Sequence, residues 1–168
     1  ERFLQPVLGL GSRLGPVIFE FPRVESADRL EGFFLSLPKG VATWALEAKE
    51  DLGLYARMME WGVAPVLQIS SRRAPLSRQW MAYLEAGGGS QTMPLVVQAD
   101  LHPSLTTEEA TRSFQPYSCL VREDEEGREA LREITKFARQ NKRKAFILFH
   151  NRWEGSAPWS VGRFLAGL

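Results

Sequence analysis

Glu47, Asp100, His102, His150 and Glu154 are the carboxylates and imidazoles of this chain whose positions could support chemistry. Such groups hold divalent metals or pass protons in general acid–base catalysis. Several of them follow directly on short apolar runs, as Glu47 follows Trp44-Ala45-Leu46 and His150 follows Ala145-Phe146-Ile147-Leu148-Phe149. A second set consists of Glu20, Lys49, Gln68, Arg72, Arg73, Gln98, Asn151 and Ser156. Arginine forks grip phosphate or carboxylate through paired N–H donors, and lysine holds the same groups as a point charge. Ser156 sits where a helix is expected to begin, a position that favours an anion.

Each residue also has a structural reading. Glu20 and Glu47 lie within apolar runs and need a cation such as Lys49 or a nearby arginine. The histidines suit capping or hydrogen-bonding roles, and Asn151 suits a tight turn. Glu154-Gly155-Ser156-Ala157-Pro158 reads as a strand-to-helix turn, with Gly155 allowing the bend. Cys119 reads as packing, and Trp153 and Trp159 as aromatic faces on which a ligand could stack.

The elements that must position these groups repeat five times. Apolar runs over residues 17–21, 43–48, 65–70, 95–100 and 145–150 predict strands. Between them, Ser26, Asp51 and Thr106 with Glu109 are expected helix caps. Trp80, Met81 and Leu84 mark one buried helix face; Ala130, Leu131, Ile134, Phe137 and Ala138 mark another, whose charges read as a solvated side. Val161, Phe164 and Leu165 mark the last, and Gly87-Gly88-Gly89-Ser90 reads as a flexible break. Strands that are apolar throughout imply a parallel sheet covered on both faces. A doubly wound sheet and a (β/α) barrel both fit that pattern. Five units in 168 residues give about 34 residues each, against roughly 31 in an eight-unit barrel. The expected fold is therefore an α/β parallel barrel of TIM type, incomplete, with about five of eight units in one partial domain over residues 1–168. Functional groups then gather at the strand C-termini.

Composition narrows the function classes. With 21 Lys and Arg against 20 Asp and Glu, the net charge of +1 gives no global field for a polyanion. One cysteine excludes a disulfide framework and a cysteine-rich zinc site. No apolar run spans a bilayer and no leader pattern is visible, so a cytoplasmic protein without a membrane partner is expected. The first residue is Glu1 rather than methionine, which raises the question whether the chain is a whole gene product or a piece of one.

Several segments resemble the YecE-like proteins, a barrel family whose reaction is not established. Leu14-Gly15-Pro16-Val17-Ile18-Phe19-Glu20-Phe21-Pro22 is similar to that family's LGPVLFQLPP segment. Trp44-Ala45-Leu46-Glu47-Ala48-Lys49-Glu50 sits where that family has a strand ending in Glu-x-Arg-His, and Asn151-Arg152-Trp153-Glu154-Gly155-Ser156-Ala157-Pro158 resembles the NNKxEGSAP segment of one branch of the family. Leu101-His102-Pro103 fits the same branch. The resemblance implies a TIM-like barrel with about three further N-terminal strands. Glu20, Lys49-Glu50, Gln98 and His150 depart from the family pattern. The expected function is a hydrolase or lyase, with a divalent metal as one option, acting on a phosphate-bearing or nucleic-acid substrate at the barrel mouth. The alternative is a non-catalytic protein that binds a small anion or nucleic acid. Either needs further strands, or a second copy, to cover the open sheet edges.

Overall fold

A computed structural model describes residues 4–21, 26–48 and 53–168. The expected cap Asp51 and the strand stop Pro22 lie outside the described residues. In chain order the elements are α1 (Leu4–Leu8), β1 (Val17–Phe19), α2 (Ala27–Leu35), β2 (Trp44–Leu46), α3 (Leu54–Glu60), β3 (Ala64–Ile69) and α4 (Leu76–Glu85). They continue with β4 (Leu95–Ala99), α5 (Thr107–Phe114), α6 (Glu125–Gln140), β5 (Ala145–Phe149), α7 (Asn151–Glu154) and α8 (Ala157–Leu165). Among the described residues the five strands lie in the order β1-β2-β3-β4-β5. Every neighbouring pair is parallel. The sheet curls into a half-barrel with helices against it, as an incomplete β/α barrel would.

Strand alternation sorts the side chains into two faces. Leu46, Leu67, Ile69, Leu95, Val97 and Phe149 point outward and join the helices in the main core. Ala45, Ala64, Val66 and Val96 form a separate inner cluster, with Ile18 against it. Gly15 packs on the Phe146 ring, so the segment before β1 meets β5. The inner face is not apolar throughout, as the sequence suggests. Gln68 and Gln98 are register partners on it, and Leu148 beside them is 42% exposed. The helical faces read from periodicity come out largely as expected, with Trp80, Ala130, Leu131, Ile134, Ala138 and Phe164 buried. Met81 and Leu165 are exposed instead.

Local signals settle the ends of elements. Ser26 caps α2 by accepting from the Arg29 N–H, and Thr106 with Glu109 closes a reciprocal capping box on α5. The Gly87–Ser90 segment, expected to be a flexible break, is a short 3-10 turn pinned by Arg143. That guanidinium donates to the Gly88 carbonyl at 2.8 Å and to the Tyr83 hydroxyl at 2.8 Å. Gly88 fits only because it has no Cβ, which would collide with the Tyr83 ring.

Candidate functional site

The strands end one residue short of the expected limits at their C-terminal side in β3, β4 and β5, and two short in β1 and β2. The first residue after each strand is polar: Glu20, Glu47, Ser70, Asp100 and His150. Strand parity turns each toward the inner face, because Phe19, Leu46, Ile69, Ala99 and Phe149 point to the helices. A cavity of about 470 Å³ opens there. Among the described residues its walls are Glu20, Glu47, Gln68, Ser70, Arg72, Arg73, Gln98, Asp100, Thr107 and Arg152. Seven of the residues singled out in the sequence thus meet at one mouth, namely Glu20, Glu47, Gln68, Arg72, Arg73, Gln98 and Asp100.

Two of the three arginines there are committed. Arg73 donates from Nε to Gln68 Oε1 at 2.9 Å and from Nη2 to Glu47 Oε1 at 3.0 Å, and Nη1 reaches the Ala48 carbonyl. Its side chain and that of Glu47 are each only 10% exposed. Glu47 is therefore the paired carboxylate of its structural reading, with Arg73 as the cation. Arg152 donates from Nη2 to Asp100 Oδ1 at 3.0 Å and from Nε to His150 Nδ1 at 3.3 Å. Arg72 differs. Its guanidinium donates to Thr107 Oγ1 at 3.3 Å and forms no ion pair among the described residues. The Gln98 amide hydrogen-bonds no described residue. Gln79 fixes the floor beneath, accepting from the Gln68 N–H at 3.0 Å and donating to its carbonyl at 2.7 Å.

The remaining candidates are placed elsewhere. Glu154 is fully buried, paired with the fully buried Arg128, and accepts the Asp124 N–H at 2.8 Å. It anchors the turn after β5 and cannot reach the mouth. Ser156 is buried and makes no capping bond, so it offers no anion site. The cap of α8 falls to Asn151, whose Oδ1 accepts from the Ala157 N–H at 2.8 Å, a structural duty rather than a ligand contact. His102 lies in a neighbouring hollow, its Nδ1 accepting from the Ser104 N–H at 3.2 Å. His150 is at the rim but caps α7, its Nδ1 accepting from the Arg152 N–H at 3.1 Å. Lys49 lies outside the described residues.

Among the described residues, no three His, Cys, Asp or Glu side chains gather closely enough to hold a metal ion. The five residues that suggested metal or acid–base work are divided between the mouth, the hollow and the interior. Cys119 is exposed rather than packed. Trp153 is fully buried and Trp159 is exposed, and neither lines the mouth. Two mouth residues carry no clear sequence signal. Arg152 stands inside the motif after β5, where Asn151, Trp153, Glu154 and Ser156 drew attention instead. Thr107 begins α5 and comes to the mouth because the loop after β4 folds back over it.

Both histidines are held below their ordinary pKa. For His102 the main cause is burial, with Arg122 opposing the charged form further and Asp124 favouring it. For His150 it is burial and then the Arg152 charge. A histidine held neutral by the fold binds a proton more readily when unfolded. Its stabilising contribution is whole above the unfolded value of 6.5 and declines as pH falls below it. The urea midpoint is therefore expected to drop between about pH 7.5 and pH 5.5, and His102→Gln should flatten that drop. An unchanged midpoint over this window would contradict the burial of His102. Glu109, Glu123 and Glu125 are held below their usual value of 4.5, so their losses come at lower pH.

Comparison with protein-family models, with curated proteins and with solved structures found no match to this chain.

Proposed function

We propose that these five units belong to a TIM-type barrel of the YecE-like kind, whose mouth binds a small phosphate-bearing ligand rich in hydroxyls. The barrel reading is supported by the parallel order of the strands and by Gly15 meeting Phe146, a contact between the chain leading into the first strand and the inner face of the fifth. In an eight-strand barrel those two strands stand opposite each other, and inward side chains fill the space between them. Strands from outside the described residues, or from a second copy, would pair the free edges of β1 and β5.

One observation carries the ligand reading. Arg72 is a guanidinium without a carboxylate partner among the described residues, at the rim of a cavity whose other two arginines are already neutralised. One uncommitted cation suits a single phosphate group better than a polyanion. Carboxylates and amides around it, Glu20, Asp100 and Gln98, are acceptors and donors suited to sugar hydroxyls. Binding, rather than metal-assisted hydrolysis, is the function the geometry supports best. A hydrolase or lyase acting on the same ester is the second reading, favoured by Asp100 and His150 on adjacent strand ends, joined through Arg152.

The test is calorimetric titration with ribose 5-phosphate. Arg72→Ala is expected to weaken binding by about tenfold or more, the value of a charged hydrogen bond. Equal affinity in wild type and variant, or no binding in either, would sink the proposal. Release of inorganic phosphate from the bound ester, lost in Asp100→Asn, would mark the protein as an enzyme.

A further inference from the structure

Beside the mouth lies a second cavity of about 360 Å³ that the phosphate ester alone does not need. It opens between the end of β3, the start of α4, the loop after β4 and the start of α6. Its character is different. Ile69, Pro75, Leu76 and Pro103 give it apolar walls, and His102, Ser104 and Asp124 supply polar atoms. Ser70 and Arg73 line both cavities, so the two share a wall at the end of β3.

We infer that the mouth and this hollow are two halves of one site for a nucleoside monophosphate, which rests on the phosphate-ester reading above. The phosphate and sugar occupy the mouth, and the base crosses Ser70 into the hollow. Three features favour this class. A nucleobase has apolar faces and a polar edge, which matches a hollow with proline and leucine walls and a few hydrogen-bonding groups. The hydroxyl of Ser70 is the smallest polar group on the shared wall, so the ligand passes there rather than through the Arg73 side chain, which three bonds hold in place. Finally, the pairing of the arginines favours a ligand with one phosphate. Arg73 and Arg152 are balanced by Glu47 and Asp100. Among the described residues this leaves Arg72 as the guanidinium without a carboxylate, which suits one phosphate group better than a polyphosphate or a nucleic-acid backbone.

His102 supports the base end through its neutral imidazole. Its Nδ1 is engaged by Ser104, in the N–H contact already given and in a hydroxyl contact of 3.0 Å. Asp124 is equally fixed, accepting from the Gly127 N–H at 3.0 Å and from Trp153 Nε1 at 2.9 Å. The polar groups of the hollow are thus held in place before a ligand enters, which lowers the cost of ordering them on binding.

The experiment titrates the whole chain with adenosine 5′-monophosphate, ribose 5-phosphate and a short single-stranded oligonucleotide. The nucleotide is expected to bind at least about tenfold more tightly than ribose 5-phosphate. Ser77→Phe, at an exposed position on the rim of the hollow, should remove that advantage and leave ribose 5-phosphate affinity unchanged. Ser104→Ala, also exposed, should reduce it without altering the fold. Equal affinity of nucleotide and sugar phosphate in the wild type would overturn this inference while leaving the phosphate reading intact. Tight binding of the oligonucleotide with none of the mononucleotide would overturn it too. Loss of all phosphate-ester binding would remove the underlying reading itself.

Discussion

Arg128→Met is expected to lower the unfolding free energy by about 3–5 kcal/mol, the cost of leaving a buried charge without its partner. Arg128 and Glu154 are both fully buried and paired with each other. Removing the guanidinium leaves the Glu154 carboxylate in the interior with one neutral donor, the Asp124 N–H, and with Oε2 already without a hydrogen-bond partner among the described residues. The reverse change should cost less. In Glu154→Gln, Arg128 retains Glu123 at 2.9 Å and Glu125 at 3.0 Å, both partly in water. The double variant Arg128→Met with Glu154→Gln should recover part of the loss, because no charge is then stranded. Urea unfolding of the three variants gives the ranking, and a cost below about 1 kcal/mol for Arg128→Met would show that the pair does not organise this region. The effect is large because several elements meet there. The Val121 N–H donates to the Glu154 carbonyl at 2.8 Å, and the His102 N–H to the Arg152 carbonyl at 3.0 Å. Gly155 completes the junction at φ +114, where an added Cβ would press on the Cys119 carbonyl.

The second large effect is expected at Arg73, where both stability and ligand binding should fall. Its three hydrogen bonds tie the end of β2 to the end of β3 through Glu47, Ala48 and Gln68. Arg73→Ala strands a mostly buried carboxylate and frees the Gln68 amide, at a cost of about 2–4 kcal/mol. Arg73→Lys should recover less than half, because an ammonium cannot reproduce three donors in a fixed fork. The stability loss separates this residue from Arg72, whose exposed side chain should affect affinity and leave the urea midpoint unchanged. If Arg73→Ala and Arg72→Ala behaved alike, the division between a supporting and a ligand-binding guanidinium would fail.

How much of this was legible beforehand varies from residue to residue. Apolar runs set the strands, and Glu20, Glu47 and Asp100, near the ends of their runs, line one cavity. His102, two residues beyond Asp100, shares the same loop but follows its fold into a separate hollow. Spacing along the chain carries no information about that difference, since a loop can turn a side chain either way. Arg128 sits in a run of charges that reads as a solvated helix face, yet it is the most deeply placed of them. Glu154, arriving from the turn after β5, joins Glu123 and Glu125 in offsetting its charge.

The sequence by itself determined the alternation of strands and helices, the caps at Ser26 and Thr106, and the end of the sheet at which polar residues gather. These follow from local rules of side-chain period and backbone hydrogen bonding, which act within a few residues. Tertiary structure alone decided which charges neutralise each other. Arg73 took Glu47, Arg152 took Asp100, Arg128 took Glu154, and Arg72 was left at the rim without a carboxylate among the described residues. Ion pairing depends on distance in space and on the water excluded around it, and neither quantity is written in the order of the residues.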